Sequence, residues 1–434
     1  MTPAARLQAA IELLDEVLGT DRAADGVISA YFRTRRFIGG SDRRAINDQI
    51  WRILRHRARL AWWLGTDSPS GRLFVAGNLI RGEGKSIDAV AGLFSGAKNG
   101  PSPLAANEKR MAERAGQTGK ESRDDSAMPR EVRLEVPWWL LPKLDEAFGA
   151  SADAELTALG HEAPLDLRVN TLKDTRESVL ASLREEDLKA EPTALSPLGI
   201  RLPARISLGD HAGFRDGLFE VQDEASQICA HLVNAQPGMV VMDLCGGAGG
   251  KTLAVAGFMQ NKGRLIACDV SVGRLERSKL RLRRAGVHNA TLRVLEDNDK
   301  WIKRQAGSFD RVLVDAPCSG TGAWRRNPDA RWHVKPENLE SLALVQAQVL
   351  EQGSGLVKLG GRLIYATCSL LTEENAGRVE TFLATHPQFK ALPIQDVWKD
   401  VLTAPCPTSD PFLTLSPHRN ATDGFFVAVL ERVS

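Results

Sequence analysis

The stretch from residue 239 to residue 252, MVVMDLCGGAGGKT, limits the fold more than any other part of the chain. A short apolar run ends in Asp243, four glycines follow between residues 246 and 250, and the pattern then becomes helical. Continuous apolar runs of this length are typical of parallel strands that are covered on both faces. Glycines remove side chains where a backbone must approach a ligand closely. The stretch therefore predicts a buried strand, a ligand-binding loop and a helix over 252–259.

The spacing of the glycines distinguishes three possible ligands. A phosphate loop would need its first glycine where Cys245 stands, and a dinucleotide loop would need its third where Thr252 stands. S-adenosylmethionine instead needs an acid at the strand end and an open glycine loop. A second apolar run ends in Asp269, about 20 residues on, where an acid suits a ribose diol. The loop favours S-adenosylmethionine, and an ordinary strand–turn–helix unit is the alternative.

Strand and helix patterns alternate along the second half of the chain. The strand patterns cover 239–243, 264–269, 290–295, 309–314 and 361–366. The helical patterns cover 252–259, 272–285, 337–358 and 373–386. This alternation predicts a doubly wound, largely parallel sheet. The last two apolar runs, 412–415 and 425–430, predict an antiparallel edge hairpin.

Acids and thiols stand at the ends of these strands. In an open α/β sheet the carboxyl ends of the strands face the ligand crevice. Six side chains should therefore share one rim: Asp243, Asp269, Asp297, Asp315, Cys318 and Cys368. A thiolate that adds to carbon 6 of a pyrimidine lets carbon 5 attack a methyl group, and loss of the carbon-5 proton then expels the thiol. The other cysteines at 229, 268 and 406 are expected to pack as small hydrophobic residues.

Five segments on this rim share the pattern of one known family. DLCGGAGGKT, DAPCSGTG, RRNPDARW, YATCS and DGFF resemble the motifs of bacterial RsmB/Sun-type RNA cytosine-5 methyltransferases, in the NOP/Sun superfamily. RVNTLK at 168–173 and EVQDEASQ at 220–227 resemble its flanking signatures. The resemblance covers residues 165 to 430. It implies a class I S-adenosylmethionine-dependent methyltransferase fold, Rossmann-like with a mostly parallel sheet and an antiparallel edge.

The resemblance also implies roles for individual residues. Cys368 would be the attacking nucleophile, Cys318 the second thiol that helps release the product, and Asp315 would lie between cofactor and target base. The implied cofactor site consists of Cys245, Gly246, Gly247, Ala248, Gly249, Gly250, Lys251, Asp269, Asp297 and Asp315. Gly247 and Ala248 stand where the usual loop of the family has alanine and proline. Asp299 is an alternative to Asp297 as the second acid that contacts the cofactor.

The chain is long enough for several domains. We expect a helical, NusB-like RNA-binding domain at 1–95, a flexible linker at 96–132, a small α+β RNA-contacting module at 133–221 and the catalytic domain at 222–434. The likeness to the NusB-like domain is weak. The stretch from Arg33 to Arg59 contains nine arginines and only two acidic residues. The planar guanidinium group of arginine is well suited to binding phosphates. Trp324 beside Arg325 and Arg326 is a candidate clamp for an everted nucleotide, or a packed tryptophan with solvated arginines.

The expected partner is RNA, with small-subunit ribosomal RNA favoured and transfer RNA possible. The net charge is only +2, so RNA contact must come from local patches. The six cysteines are scattered, which predicts no metal site, and no apolar run is long enough for a membrane helix. A cytoplasmic monomer is expected. The remaining alternatives are a phosphate-loop nucleotidase and a non-catalytic RNA-binding factor for ribosome assembly.

Overall fold

The computed structural model describes residues 1–116, 125–203, 206–296 and 299–434. Their contacts form two units. The first consists of Met1–Asp145, Ala150–Gly160 and Arg326–Val334. The second consists of Glu146–Gly149, His161–Arg325 and Lys335–Ser434.

Helices fill the first unit. They are α1 (Pro3–Leu18), α2 (Ala24–Thr34), α3 (Gly40–Arg55), α4 (Arg57–Leu64), α5 (Gly71–Gly77) with a π-helical turn at Asn78–Gly82, α6 (Ile87–Leu93), α7 (Ala106–Gly116), α8 (Arg130–Arg133), α9 (Leu141–Phe148), whose last residues belong to the second unit, and α10 (Ala152–Gly160). In α1, Pro3 takes the first position and Thr2 caps the helix by accepting from the Ala5 amide. Leu7, Ile11 and Leu14 recur at helical spacing and are buried, so this face forms the core.

Helix α7 lies inside the range that was expected to be a linker. Its Ala112 and Ala115 are buried in the same core as α1, and the Arg72 guanidinium pairs with the Glu108 carboxylate at 3.1 Å. The helical unit therefore continues past residue 95, because small alanines pack closely where a polar composition alone suggested a linker.

The second unit contains two sheets. The smaller one is antiparallel and has the order β2-β3-β1-β4. Its elements are β1 (Leu165–Val169), α11 (Arg176–Glu185), β2 (Glu191–Pro192), β3 (Gly199–Leu202), α12 (Ala212–Arg215) and β4 (Phe219–Val221). The core of this module is apolar. The strands and α11 together supply it, and Leu167 and Ile200 are fully buried.

The larger sheet has eight strands, in the order β10-β12-β9-β8-β5-β6-β7, with β11 on β12. Its strands are β5 (Val240–Asp243), β6 (Arg264–Asp269), β7 (Ala290–Val294), β8 (Phe309–Asp315), β9 (Val357–Thr367), β10 (Phe389–Ala391), β11 (Leu413–Leu415) and β12 (Phe425–Arg432). Its helices are α13 (Glu224–Leu232), α14 (Gly250–Phe258), α15 (Val272–Ala285), α16 (Lys300–Arg304), α17 (Pro336–Leu356), α18 (Ala376–Thr385), α19 (Ile394–Val401) and α20 (Pro417–Asn420). Strands β5 to β9 are parallel, and the predicted fold class is confirmed.

The chain order of the parallel strands fixes the position of the ligand crevice. Strand β5 pairs with β6 on one side and with β8 on the other, so the connections run in opposite directions from this point. Ligands of open α/β sheets bind outside the carboxyl ends of the strands at such a switch point. Asp243 and Asp315 end these two strands, and both belong to the predicted rim.

The predicted edge hairpin differs in one respect. Strands β11 and β12 pair antiparallel as expected, but β12 also pairs with β9 and with β10. This edge of the sheet is therefore formed by β11, as predicted, and by β10, a short strand that the sequence pattern did not reveal. Strand β12 is an inner strand, which explains why Phe425 to Leu430 are all buried.

The crossing of Gly322 and Gly424 supports a stability prediction. A Cβ atom on Gly322 would lie 2.1 Å from the Gly424 carbonyl oxygen, so Gly322→Ala must force two backbones apart. We expect a loss of about 2 kcal/mol or more in the free energy of unfolding, measured by urea denaturation. Gly273→Ala is the matched control, since nothing lies within 4 Å of its Cβ position. Equal stability of the two variants would contradict the packing described here.

Candidate active site

The glycine loop connects β5 to α14. The Asp243 carboxylate is buried at the end of β5 and accepts from Thr252 Oγ1 at 2.6 Å. The Gly246 amide donates to the Cys268 carbonyl at 2.7 Å, which ties the loop to β6. Gly249 starts α14 with φ +84°, and a Cβ atom there would lie 2.3 Å from Ser278 Oγ. Glycine is therefore required at position 249 both for the conformation and for the close approach.

Asp269 lies beside this loop at the end of β6. Its Oδ2 accepts from the Gly247 amide at 2.9 Å and its Oδ1 accepts from the Ser271 amide at 2.7 Å. A carboxylate oxygen can accept a second hydrogen bond, so both oxygens keep capacity for a ligand. The structure thus fixes this acid where the sequence predicted a diol acceptor.

The second predicted cofactor acid, Asp297, lies outside the described residues. Its rival Asp299 caps α16 by accepting from the Trp301 amide at 2.8 Å, and it also pairs with Arg293 at 2.8 Å. These contacts lower the pKa of Asp299, the helix amide first and the guanidinium second. Asp299 is thus engaged in its own turn, and Asp297 as the second cofactor acid stays what the resemblance predicts.

Lys251 and Asp315 link the glycine loop to the end of β8. The Lys251 Nζ atom lies 2.7 Å from Asp315 Oδ2 and 4.8 Å from the centre of the Phe425 ring. Burial opposes the lysine charge, but the attraction and hydrogen bond of Asp315 together with the nearby thiols outweigh it and raise the pKa of Lys251. Lys251 therefore stays charged at neutral pH.

The two predicted thiols meet beside this ion pair. Strands β8 and β9 are paired with Asp315 opposite Ala366, so the loops that follow them lie side by side. The Sγ atoms of Cys318 and Cys368 are 3.4 Å apart, and both residues are partly exposed. Contact with Cys368, burial and the charge of Glu374 raise the pKa of the Cys318 thiol well above its usual range. Cys318 is thus a thiol at neutral pH and can donate a hydrogen bond to the other sulfur.

Two close backbone contacts join three of the sequence segments. The Gly322 amide donates to the Cys368 carbonyl at 2.9 Å, and the Gly424 amide donates to the Gly322 carbonyl at 2.9 Å. These contacts therefore join three segments into one layer at the carboxyl ends of the strands: DAPCSGTG, YATCS and DGFF. Of the three cysteines expected to pack as small hydrophobic residues, Cys229 and Cys268 are fully buried as predicted, whereas Cys406 is only partly buried.

Glu374 is a site residue that the sequence reading missed. Its Oε1 accepts from the Ser319 amide at 2.9 Å and from Gln346 Nε2 at 2.8 Å. Its Oε2 accepts from the hydroxyls of Ser319 and Ser369. The side chain is almost fully buried, whereas the neighbouring Glu373 is exposed. Nothing in the sequence separates these two adjacent acids, so only the fold reveals the difference.

The small module also reaches the glycine loop. The buried Arg168 guanidinium donates to the Gly250 carbonyl at 2.7 Å and to Gln222. Burial lowers the pKa of Arg168 to about 10. Arg281 of α15 donates to the Ala248 carbonyl at 2.8 Å and pairs with Glu220 at 3.0 Å. Arg168 of the RVNTLK segment therefore holds one loop carbonyl, and the EVQDEASQ segment contacts both arginines that hold the loop, a role that spacing alone did not indicate.

Of the two roles considered for Trp324, the packed tryptophan is correct and the nucleotide clamp is wrong. Trp324 has no exposed surface, so a base cannot stack on it. Arg325 is buried between Asp223 and Asp423, with a 3.0 Å contact to Asp223. Arg325 thus joins the EVQDEASQ segment to the DGFF segment instead of facing solvent.

The arginine-rich stretch of the first unit is only partly available to a ligand. Arg59 binds the buried Glu135 carboxylate, and the Arg57 guanidinium lies 5.7 Å from the Trp332 ring centre. Arg331, fully buried, donates to the Glu135 carbonyl at 2.9 Å. Four arginines of the stretch are exposed, and of these Arg52 pairs with Glu83 at 3.3 Å, which leaves Arg33, Arg36 and Arg44 as the exposed arginines with no acidic partner within the described residues.

Two kinds of feature are not found in the described ranges. Within them, no set of three or more histidine, cysteine or acidic side chains is arranged to hold a metal ion. None of the helices found there combines the length and apolarity needed to cross a membrane.

Comparison with known proteins gives a consistent result. A family model described as 16S rRNA methyltransferase RsmB/F matches residues 230–431, and a ferredoxin-like domain model of RsmF/B-like methyltransferases matches residues 136–208. The probable ribosomal RNA small subunit methyltransferase B of Synechocystis is 32% identical, over 74% of this chain and 72% of that protein. The Serratia proteamaculans ribosomal RNA small subunit methyltransferase B is 34% identical, over 70% and 68%. The crystal structure of PH0851 superposes with a TM-score of 0.80 at 24% identity, over 100% of this chain and 99% of that one.

The residues of the loop fit the S-adenosylmethionine of this fold. Gly247 leaves the backbone open beside the Asp269 carboxylate, since a Cβ atom there would meet nothing closer than 3.9 Å. Asp243 Oδ1 is buried and has no hydrogen-bond partner among the described residues, so a donor from a ligand can satisfy it. Burial raises the pKa of Asp243 to about 7. The donor and acceptor set suits an amino acid joined to a nucleoside.

The geometry of the two acids gives a binding prediction. Asp269→Asn should weaken S-adenosylmethionine binding by roughly tenfold or more, since a charge-assisted hydrogen bond to the diol is lost. Asp299→Asn, which removes the same charge, should leave the affinity unchanged. Isothermal calorimetry measures both. A larger loss of affinity for Asp299→Asn than for Asp269→Asn would show that Asp269 is not the acid that holds the diol.

Proposed function

Because the chain belongs to the RsmB/F family of ribosomal RNA methyltransferases, we propose that it methylates carbon 5 of a cytosine in 16S ribosomal RNA. The observation that carries the proposal is the pair of thiols 3.4 Å apart, beside the Lys251–Asp315 ion pair at the carboxyl ends of β8 and β9. Two sulfurs at this position suit a reaction in which one thiol adds to the base and must later leave it.

Cys368 is the proposed nucleophile. Its sulfur adds to carbon 6 of the cytosine, and the electrons of the 5,6 double bond make carbon 5 nucleophilic. The likeness of the YATCS segment to the family motif supports this choice, since the geometry alone brings both sulfurs to the same place. When bound, S-adenosylmethionine supplies the electrophilic methyl group that carbon 5 takes up. Loss of the carbon-5 proton then restores the double bond and expels Cys368.

Cys318 serves the release step in this proposal. It lies beside the sulfur that must leave, and its thiol can hydrogen-bond to the departing thiolate. Without it, addition and methyl transfer can still occur, but the covalent adduct breaks down slowly. The two cysteines therefore differ in what their loss does to the reaction.

Asp315 is proposed to recognise the base. Lys251 holds its Oδ2, and its Oδ1 has no partner among the described residues. A carboxylate oxygen there can accept from the exocyclic amino group of cytosine, whereas uracil presents a carbonyl that repels it. The proposed cofactor contacts are the loop residues Cys245, Gly246, Gly247, Ala248, Gly249, Gly250 and Lys251 together with Asp269, Asp297 and Asp315.

Adduct trapping tests the two thiol roles. Cys318→Ala, expressed in cells and denatured, should carry RNA that stays covalently bound, because the release step is impaired. Cys318→Ala/Cys368→Ala is the control and should carry none. Sequencing the attached RNA distinguishes ribosomal from transfer RNA. Methylation of RNA by the wild type with no adduct in Cys318→Ala would contradict the assigned roles, and no methylation at all would favour an assembly factor.

The exposed arginines give a prediction about RNA affinity. Changing Arg33, Arg36 and Arg44 together to alanine should weaken RNA binding and flatten its dependence on salt, by about 0.9 in logarithmic slope for each phosphate that the protein no longer neutralises. The matched control changes Lys98, Lys109 and Arg110 to alanine, three exposed cations elsewhere in the same unit. Filter binding over a salt series measures both slopes. Equal salt dependence of RNA binding in the two variants would show that Arg33, Arg36 and Arg44 do not bind RNA.

A further inference from the structure

Glu374 contacts the residue that follows each thiol. On the Cys318 side, it accepts from both the amide and the hydroxyl of Ser319. On the Cys368 side, it accepts from the hydroxyl of Ser369. One carboxylate thus bridges two loops whose sequence positions are about 50 residues apart.

Other contacts hold this carboxylate in place. Gln346 of α17 donates from Nε2 both to Glu374 Oε1 at 2.8 Å and to the Pro317 carbonyl at 3.0 Å. The Tyr365 hydroxyl donates to the Glu374 carbonyl at 2.8 Å. Gln346 of α17 therefore holds the side chain and Tyr365 of β9 holds the backbone of Glu374, while the two carboxylate oxygens face the loops.

Stability alone does not call for a charge at this position. Removing a carboxylate from water is costly, and a buried ionic group often contributes no more stability than an apolar side chain of the same size. Four donors converge on this one side chain and fully occupy its oxygens. Such an arrangement specifies geometry, because each loop can satisfy its donors in only one place.

We propose that Glu374 is a positioning residue that ties the two cysteine loops together and holds the Cys318 and Cys368 sulfurs at the separation the reaction needs. This inference rests on the proposed function for its catalytic meaning, but the geometric claim is independent of it. Glu374 acts through Ser319 and Ser369 and does not touch the base. Its loss changes how the two thiols face each other while the glycine loop keeps its own contacts.

A trivalent arsenical tests the geometry without RNA. Phenylarsine oxide condenses with two neighbouring thiols, forming two arsenic–sulfur bonds and releasing one water. We expect the wild type to take up one equivalent at Cys318 and Cys368, and Cys318→Ala to take up none there, as judged by peptide mass spectrometry. Glu374→Leu should slow this uptake at least about tenfold, in line with the sensitivity of proximity effects to small displacements.

Three variants make the test specific. Glu374→Gln should restore most of the uptake, since an amide can still accept from the Ser319 amide and donate to the two hydroxyls. Glu373→Leu, at the exposed neighbouring acid, should behave as the wild type. If Glu374→Leu does not fold, Ser319→Ala/Ser369→Ala decides the question, because it removes the hydroxyl links and keeps the carboxylate. Its uptake should also be slow.

Kinetics add a readout that a merely stabilising residue would not change. In Glu374→Leu we expect kcat for RNA methylation to fall about 100-fold with unchanged KM for RNA and unchanged affinity for S-adenosylmethionine. Uptake of the arsenical at the wild-type rate by folded Glu374→Leu, or equally slow uptake by the Gln and Leu variants, would overturn the proposal. If RNA methylation fails in the wild type while arsenical uptake follows the expected order, the proposed function fails and the positioning role stands.

Discussion

Parallel pairing of β8 with β9 is the constraint on which the rest of the site depends. It sets Asp315 opposite Ala366 and so brings two loops, far apart in sequence, to the same edge of the sheet. Each loop carries one thiol, and the sulfurs lie 3.4 Å apart. A shift of the register by one residue would turn both loops to new directions. The switch of strand order between β5 and β8 then places the glycine loop at the same edge.

Much of this arrangement could be predicted from the sequence, because strand ends are local features. The short apolar runs and the acids and cysteines that follow them are visible without the fold, and the rule that parallel strands share a carboxyl edge brings them together. Glu374 and Arg168 could not be found in this way. Their importance comes from partners far along the chain, Ser319 for the first and Gly250 for the second. The sequence left two roles open for Trp324, since a buried and an exposed tryptophan look the same in sequence, and only the fold shows that it is buried.

The burial of individual arginines could not be predicted from the sequence either. The arginine-rich stretch reads as one basic surface, but Arg57 and Arg59 turn inward because Trp332 and the buried Glu135 lie there. On α15, Arg281 and Arg284 bind Glu220 instead of facing solvent. In both cases the partner acid or aromatic ring is distant in sequence. Burial of arginine therefore depends on tertiary contacts that composition cannot reveal.

The central claim is that Cys368 is the sulfur that attacks the base. RNA containing 5-fluorocytidine tests it most directly, because fluorine at carbon 5 blocks the proton loss that expels the thiol. After reaction with the wild-type protein and S-adenosylmethionine, we expect a covalent nucleotide on the tryptic peptide that contains Cys368, with the Cys318 peptide unmodified. A nucleotide on Cys318, with Cys368 free, would contradict the account.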